Sequence, residues 1–304
     1  MYAPPPRQTS EVFTRMPDGF RKKERSGEWF SHQPAMTEHH SVLEGPSFDQ
    51  DGNLYCVDIP WGRIFRIDPK GNWDLVVEYE GEPNGLRVHR DGRIFVADHR
   101  RGIVVVDPEK RTVKPYLERV RLEHLKAVND LYFADNGDLY FTDQGLTGLH
   151  DPTGRVFRAR PNGQVDCLLD NVPSPNGLVL SLNEKVLFVA ATRGNAIWRV
   201  PFSDDGSVAK VGIFIQMTGG GGPDGISMDE AGNLVVCQIG LGAVWLFNPQ
   251  GEPILRVDSC AGRHTTNIAF GGPDRKAAYV TESEQGVILK AEMPFAGKRM
   301  FSGV

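Results

Sequence analysis

The chain of 304 residues repeats itself, and the repeat constrains its fold more than any other feature. One pattern, a short apolar run, a polar turn and a second apolar run, occurs as SFDQDGNLYCVD (47–58), RVHRDGRIFVAD (87–98), YFADNGDLYFTD (132–143), VLSLNEKVLFVAA (179–191), SMDEAGNLVVCQ (227–238) and AFGGPDRKAAYVTE (269–282). The residues just past each turn tip, Gly52, Gly92, Gly137, Glu184, Gly232 and Arg275, lie 40, 45, 47, 48 and 43 apart. A period in this range belongs to solenoids, propellers and other arrays. Behind each pair comes a third run (62–68, 102–107, 154–159, 195–200, 242–247 and 286–291), and behind most a fourth (74–79, 113–117, 166–170, 212–217 and 253–257). The runs are short, rich in β-branched and aromatic residues and bounded by turn formers, so they read as strands. Four antiparallel strands repeated six times specify an all-β fold, a six-bladed β-propeller around a central channel. The last unit has only three strands, so EVFTRM (11–16) is expected to supply its fourth and close the ring from the other terminus, removing a sheet edge. The expectation is one domain over residues 1–304, with 1–40 as an extension in which 17–40 have no assigned role.

Composition narrows the function. With 34 Lys and Arg against 39 Asp and Glu, the net charge of −5 argues against nucleic acid or an anionic membrane as partner. No apolar run is long enough to span a bilayer, and MYAPPPRQTSEVF lacks the apolar core of a secretory signal. Cys56, Cys167, Cys237 and Cys260 are far apart and form no CxxC, which reads as reduced core thiols of a cytoplasmic protein. No GxSxG elbow is present, and Gly219–Gly222 leads into no Lys-Ser/Thr, so it reads as a blade connection and not a phosphate loop.

Eight residues before each turn marker stand Glu44, Asn84, Asn129, Asn176, Asp224 and Asn267, in LEGPSF, PNGLRV, VNDLYF, PNGLVL, PDGISM and TNIAF. Turn-forming habit accounts for Asn84, Asn176 and Asp224, each followed by Gly. It does not account for Glu44, Asn129 and Asn267, nor for six polar residues in one register where a strand would carry Val or Ile. Equivalent positions of a propeller form a ring, and a ring of carboxylate and amide oxygens suits a hard divalent cation: Ca2+ first, ahead of Zn2+, Mn2+ or Mg2+. Glu44 and Asp224 would neutralise its charge.

LEGP, VNDLYF, PNGLVLS and GPDGISMD, in that order on six blades, resemble the regucalcin/gluconolactonase family. TNIAFGGPDRKAAYVTE is similar to that family's final blade, and the resemblance spans residues 40 to 290. It implies a metal-dependent lactonase acting on a small-molecule lactone, with the metal held at Glu44, Asn176 and Asp224, Asn129 close to metal or substrate, and Asp224 as catalytic base. Phosphofluoridate-hydrolysing and drug-responsive lactonase propellers share the ring. Where the family's aldonolactonases read Arg-Phe-Asn-x-Pro-Asn-Asp, this chain has LEHLKAVND (122–130), without the Arg and Pro that go with a sugar lactone. Another ester or organophosphate hydrolase, and a non-catalytic calcium-binding propeller, therefore stay open as alternatives, as does oligomeric state.

Loops joining second to third strands should return to the site face. They bring Trp61, which could stack on a substrate ring, and His99 and His150, which with His264 could contact substrate or move protons; His264 stands nearest the ring. The longest of them, starting at Gln144, is the expected wall. Asp58, Asp98 and Asp143 recur at second-strand ends as backbone acceptors, and His39-His40 reads as surface loop. Asp224 could act as base or as nucleophile, or His264 could be the base.

Overall fold

A computed structural model describes residues 4–22, 28–33, 36 and 39–304. Six antiparallel sheets are arranged around a channel, and the first strand of each touches the first strands of both neighbours, the sixth closing on the first. Blade 1 comprises Leu43–Phe48, Leu54–Asp58, Arg63–Ile67 and Trp73–Glu78; blade 2 Pro83–Val88, Ile94–Asp98, Gly102–Asp107 and Thr112–Leu117. Blade 3 comprises Val128–Phe133, Leu139–Asp143, Gly154–Ala159 and Val165–Val172; blade 4 Pro175–Leu180, Val186–Ala191, Ala196–Pro201 and Gly212–Gln216. Blade 5 comprises Gly222–Met228, Leu234–Ile239, Ala243–Phe247 and Pro253–Asp258, and blade 6 Thr265–Gly271, Ala277–Glu282, Val287–Glu292 and, from the opposite terminus, Glu11–Arg15. Glu11–Arg15 pairs antiparallel with Val287–Glu292, and Phe13 stands edge-on to Tyr279 at 5.1 Å.

Strands buried on both faces explain the continuous apolar runs. Side chains alternate along a strand, so Tyr55 and Val57 of blade 1 pack towards blade 2 with Leu86 and Val96, while Leu54 and Cys56 pack towards blade 6 with Tyr279 and Ile288. The hairpin tips are equally local in origin. All six markers, including the non-glycines Glu184 and Arg275, adopt a left-handed φ between 55° and 88°. Asp49 shows the usual stabilisation: its carboxylate accepts the backbone N–H groups of Asp51 and Asn53.

Three features were not foreseen. Arg7–Thr9 adds a fifth, parallel strand to the outer edge of blade 5. Arg119–Val120 and Glu123–His124 form a small hairpin ahead of blade 3. The C-terminal residues cross the far end of the channel, where Lys298, Met300, Ser302 and Val304 meet Arg87 and Tyr132 of the inner strands. The cysteine expectation needs correction: Cys56 and Cys237 are buried, but Cys167 and Cys260 are exposed, because they lie on an outer strand and a blade connection; all four are free thiols. Among the described residues no helix is long and apolar enough to cross a membrane.

Candidate active site

Each inner strand carries a one-residue bulge near its start. In blade 2, Pro83 pairs with Asp98 and Leu86 with Val96, so Asn84 and Gly85 together oppose Ala97. The same two-against-one arrangement holds Asn129 and Asp130, Asn176 and Gly177, Asp224 and Gly225, and in blade 6 Thr266 and Asn267. In blade 1 the shift follows Glu44. A bulge re-aims side chains that an ideal pleat would send into the blade packing, and here it turns one polar residue per blade into the channel.

The resulting ring is Glu44, Asn84, Asn129, Asn176, Asp224 and Thr266, and all six line a cavity of about 490 Å³. Asn267 does not line it. The hairpin of blade 6 runs one residue pair longer between turn and bulge than those of blades 2 to 5. A count from the turn therefore lands one residue too deep, and Thr266 is the ring member.

Asn267 belongs to the tier beneath, with Gly45, Gly85, Asp130, Gly177 and Gly225. Only blades 3 and 6, opposite each other, carry a side chain there, and the two meet across the channel: Asn267 Nδ2 donates to Asp130 Oδ2 at 3.2 Å and to Glu44 Oε2 at 2.8 Å. Glycine elsewhere makes this possible, since a Cβ on Gly225 would fall on the Asn267 carboxamide and one on Gly85 on the Asp130 carboxylate. Arg87, buried beside Asp130 at 3.6 Å, completes this floor. Neither Asp130 nor Arg87 was singled out from the sequence, although Asp130 directly follows a ring residue.

Burial pushes the Asp224 carboxyl up to about 7, with the Asp130 charge adding to the rise while an Asn176 hydrogen bond and Arg193 oppose it. Glu44 is held well above the usual carboxylate range by burial, then by the charges of Asp224 and Asp130. Among the described residues no three His, Cys, Asp or Glu side chains form a metal-holding group. The donor set is instead two carboxylates and two amides: the Asn129 and Asn176 Oδ1 atoms are buried with no hydrogen-bond partner among the described residues. Two repelling carboxylates beside two orphaned carbonyl oxygens fit a hard cation, which would satisfy all four.

Amide orientation is set from behind. Asn129 Nδ2 donates to Gln144 Oε1 at 3.1 Å and Gln144 Nε2 donates to Ser174 Oγ at 2.9 Å, which leaves the Asn129 carbonyl oxygen for the channel. His99 and Asn84 are joined at 2.9 Å. Burial lowers His99 to about 4, so the ring is neutral and its Nε2 accepts from the Asn84 amide.

His99, Gln144 and His264 line the cavity; Trp61 and His150 do not. Trp61 faces the N-terminal segment, donating its indole N–H to the His40 carbonyl, and His150 is exposed on the outer part of its loop. That loop supplies only Gln144, Gly145, Leu146 and Thr147 to the wall. Asp58, Asp98 and Asp143 accept backbone N–H groups of the blade connections, at Val42, Glu82 and Ala127 respectively. The largest omission is the segment before blade 1. Trp29, His32, Gln33 and Met36 line the cavity, and His39, instead of lying on the surface, is buried against His264. Its only sequence signal was a Trp-Phe pair in a polar stretch.

The family model described as the SMP-30/gluconolactonase/LRE-like region matches residues 42–284. The chain belongs to this family. Among its relatives, the lactonase drp35 of Staphylococcus aureus (strain MRSA252) is 33% identical over 224 residues, covering 70% of this chain and 68% of the relative. The counterpart from Staphylococcus haemolyticus is 32% identical over the same length. Among solved structures, a gluconolactonase from Xanthomonas campestris superposes with a TM-score of 0.74 at 23% identity, over 84% of this chain and 86% of the other. A calcium-binding protein, regucalcin, from Agrobacterium tumefaciens superposes with a TM-score of 0.73 at 22% identity, over 95% and 96%. At these identities the structural matches speak to the propeller fold; the family rests on the sequence match.

Proposed function

We propose that this chain is a lactonase that opens a small-molecule lactone with the help of a divalent cation, Ca2+ in first place, held by Glu44, Asp224, Asn129 and Asn176. The reading is supported by membership of a family with lactonase relatives. One observation carries it: two buried carboxylates and two unpartnered amide oxygens converge at one end of the channel.

A cation held by Glu44, Asp224, Asn129 and Asn176 would supply Lewis acidity at the lactone carbonyl oxygen. The chain's own residues do the rest. The cavity, open on one side and floored by the Asn267–Asp130 contact, orients a lactone ring over the oxygen ring. Asp224 takes the proton from the attacking water; burial raises its proton affinity in the metal-free site, a bound cation would lower that affinity, and the same cation would acidify the water from which the proton comes. His264, kept neutral at pH 7 because burial lowers its pKa, is the second candidate for that proton.

Acid release should be followed at constant pH on chelator-stripped protein, with and without Ca2+, Zn2+ or Mn2+. The panel is sugar lactones, alkyl lactones and one phosphofluoridate. Lactone hydrolysis that depends on added metal is the expected result. Metal binding without turnover on any of them would favour the binding-protein alternative. With metal still bound, Asp224→Asn should lower kcat by about a hundred- to ten-thousand-fold, whereas retained activity would remove Asp224 from the base or nucleophile role and leave it to His264.

A further inference from the structure

We propose that Trp29 and Met36 make this site selective for lactones that carry an apolar substituent; the inference rests on the lactonase reading. Both residues precede residue 42, where the family match begins, so the family's shared sequence does not account for them. They are buried, and with Val42, Ile59 and Ile239 they belong to one continuous apolar cluster. All five also line the cavity. The remaining wall at ring level is polar, being made of Glu44, Asn84, Asn129, Asn176, Asp224 and Thr266. The cavity thus has an oxygen-lined floor for the ester group and a contiguous hydrocarbon wall for what the ring carries.

The wall is held in place. Trp29 and Phe30 form part of the helical turn Glu28–Ser31 and stand edge-on at 5.4 Å, and Phe30 stands against Trp61 at 6.0 Å. The indole N–H of Trp61 donates to the His40 carbonyl at 3.1 Å. His39 stacks on His264 with ring centres 4.7 Å apart, and its Nε2 lies 2.6 Å from His264 Nδ1. Trp29, His32 and Gln33 also border a second crevice of about 190 Å³ beside His99 and Gln144, so the segment partitions the mouth of the site. Hydroxyls placed against Met36, Val42, Ile59 and Ile239 would give up water without gaining partners, whereas an alkyl chain gives up nothing; the Trp29 indole N–H, buried without a partner among the described residues, is a donor at the edge of this wall.

The test compares kcat/KM for a γ-lactone bearing a hexyl chain with that for its methyl counterpart, on metal-loaded protein. Wild type should prefer the hexyl lactone by about tenfold or more, and Trp29→Ala should bring the ratio below about threefold, while Trp29→Phe keeps most of it. A wild-type ratio near one, or a ratio unmoved by Trp29→Ala, overturns the proposal. If Trp29→Ala loses its near-ultraviolet circular dichroism, Met36→Ala reads the same ratio with the same criteria. Calorimetric binding of the matching hexyl and methyl γ-lactams separates the two claims. If wild type hydrolyses neither of these nor any lactone of the wider panel, the lactonase reading falls. A lactam preference for hexyl that Trp29→Ala removes would then still support the wall, and equal affinities would overturn it.

Discussion

At the scale of single residues, the site is a balance among buried charges. A carboxyl whose proton affinity rises on folding contributes most to stability below its unfolded pKa of about 4 and loses that contribution as pH climbs through its folded value. For Asp224 that window runs up to about 7. The metal-free protein should therefore lose stability between about pH 4 and 7, and Asp224→Asn should lose measurably less over the same interval in urea titrations. An equal loss in both would remove Asp224 as the source. His99 works the other way, because its pKa is lowered and its contribution disappears as pH falls from the unfolded value towards about 4; the comparison with Asp224→Asn cancels it. Gln144 illustrates a residue acting through another. It fixes the amide of Asn129, so Gln144→Ala should weaken Ca2+ binding by about 10- to 100-fold with little change in melting temperature of the metal-free form. Calorimetric titration with Ca2+ decides it.

At the scale of elements, the inner-strand bulge is the device that makes a site from a blade. The sequence registers the polar residues but not the bulge, since a two-against-one pairing has no signature beyond the residues it presents. For this reason Glu44, Asn84, Asn129, Asn176 and Asp224 were legible, while blade 6 was misread by one position: its longer hairpin moves the bulge away from the turn that served as origin. The ring-closing strand was legible for a different reason, namely that a sixth unit with three strands leaves an edge to be covered. Met16, at the end of that strand, is almost fully buried among Leu43, Phe65 and Ile288, and its backbone N–H donates to the Gly286 carbonyl. Met16→Ala should cost about 2–5 kcal/mol, seen as a lower urea midpoint with an unchanged slope. A loss below 1 kcal/mol would mean that the strand adds little to closure.

At the scale of the whole molecule, closure turns six separate hairpins into one channel with a plugged floor and one open mouth. Any cation bound only by the assembled ring must stabilise the whole propeller. At a free concentration 100 times its dissociation constant, the gain is about 2.7 kcal/mol. Ca2+ should raise the melting temperature of stripped protein in a concentration-dependent way, and Asn176→Ala should abolish most of that rise. A melting temperature indifferent to every divalent ion would argue against a cation at the ring.

The sequence by itself determined the blade count, the strand order, the ring-closing strand and five of the six ring residues. Each of these follows from periodicity, turn chemistry or the need to cover an edge, and all three are local properties that repeat. What only the tertiary structure decided is non-repeating. Thr266 replaces Asn267 in the ring because hairpin length is set by pairing. Asp130 and Asn267 meet because opposite blades carry side chains where the other four carry glycine. Trp29, Met36 and His39 reach the cavity because a segment without periodicity is placed by packing alone, on Trp61 and His264, and packing partners far apart in the chain leave no spacing to read.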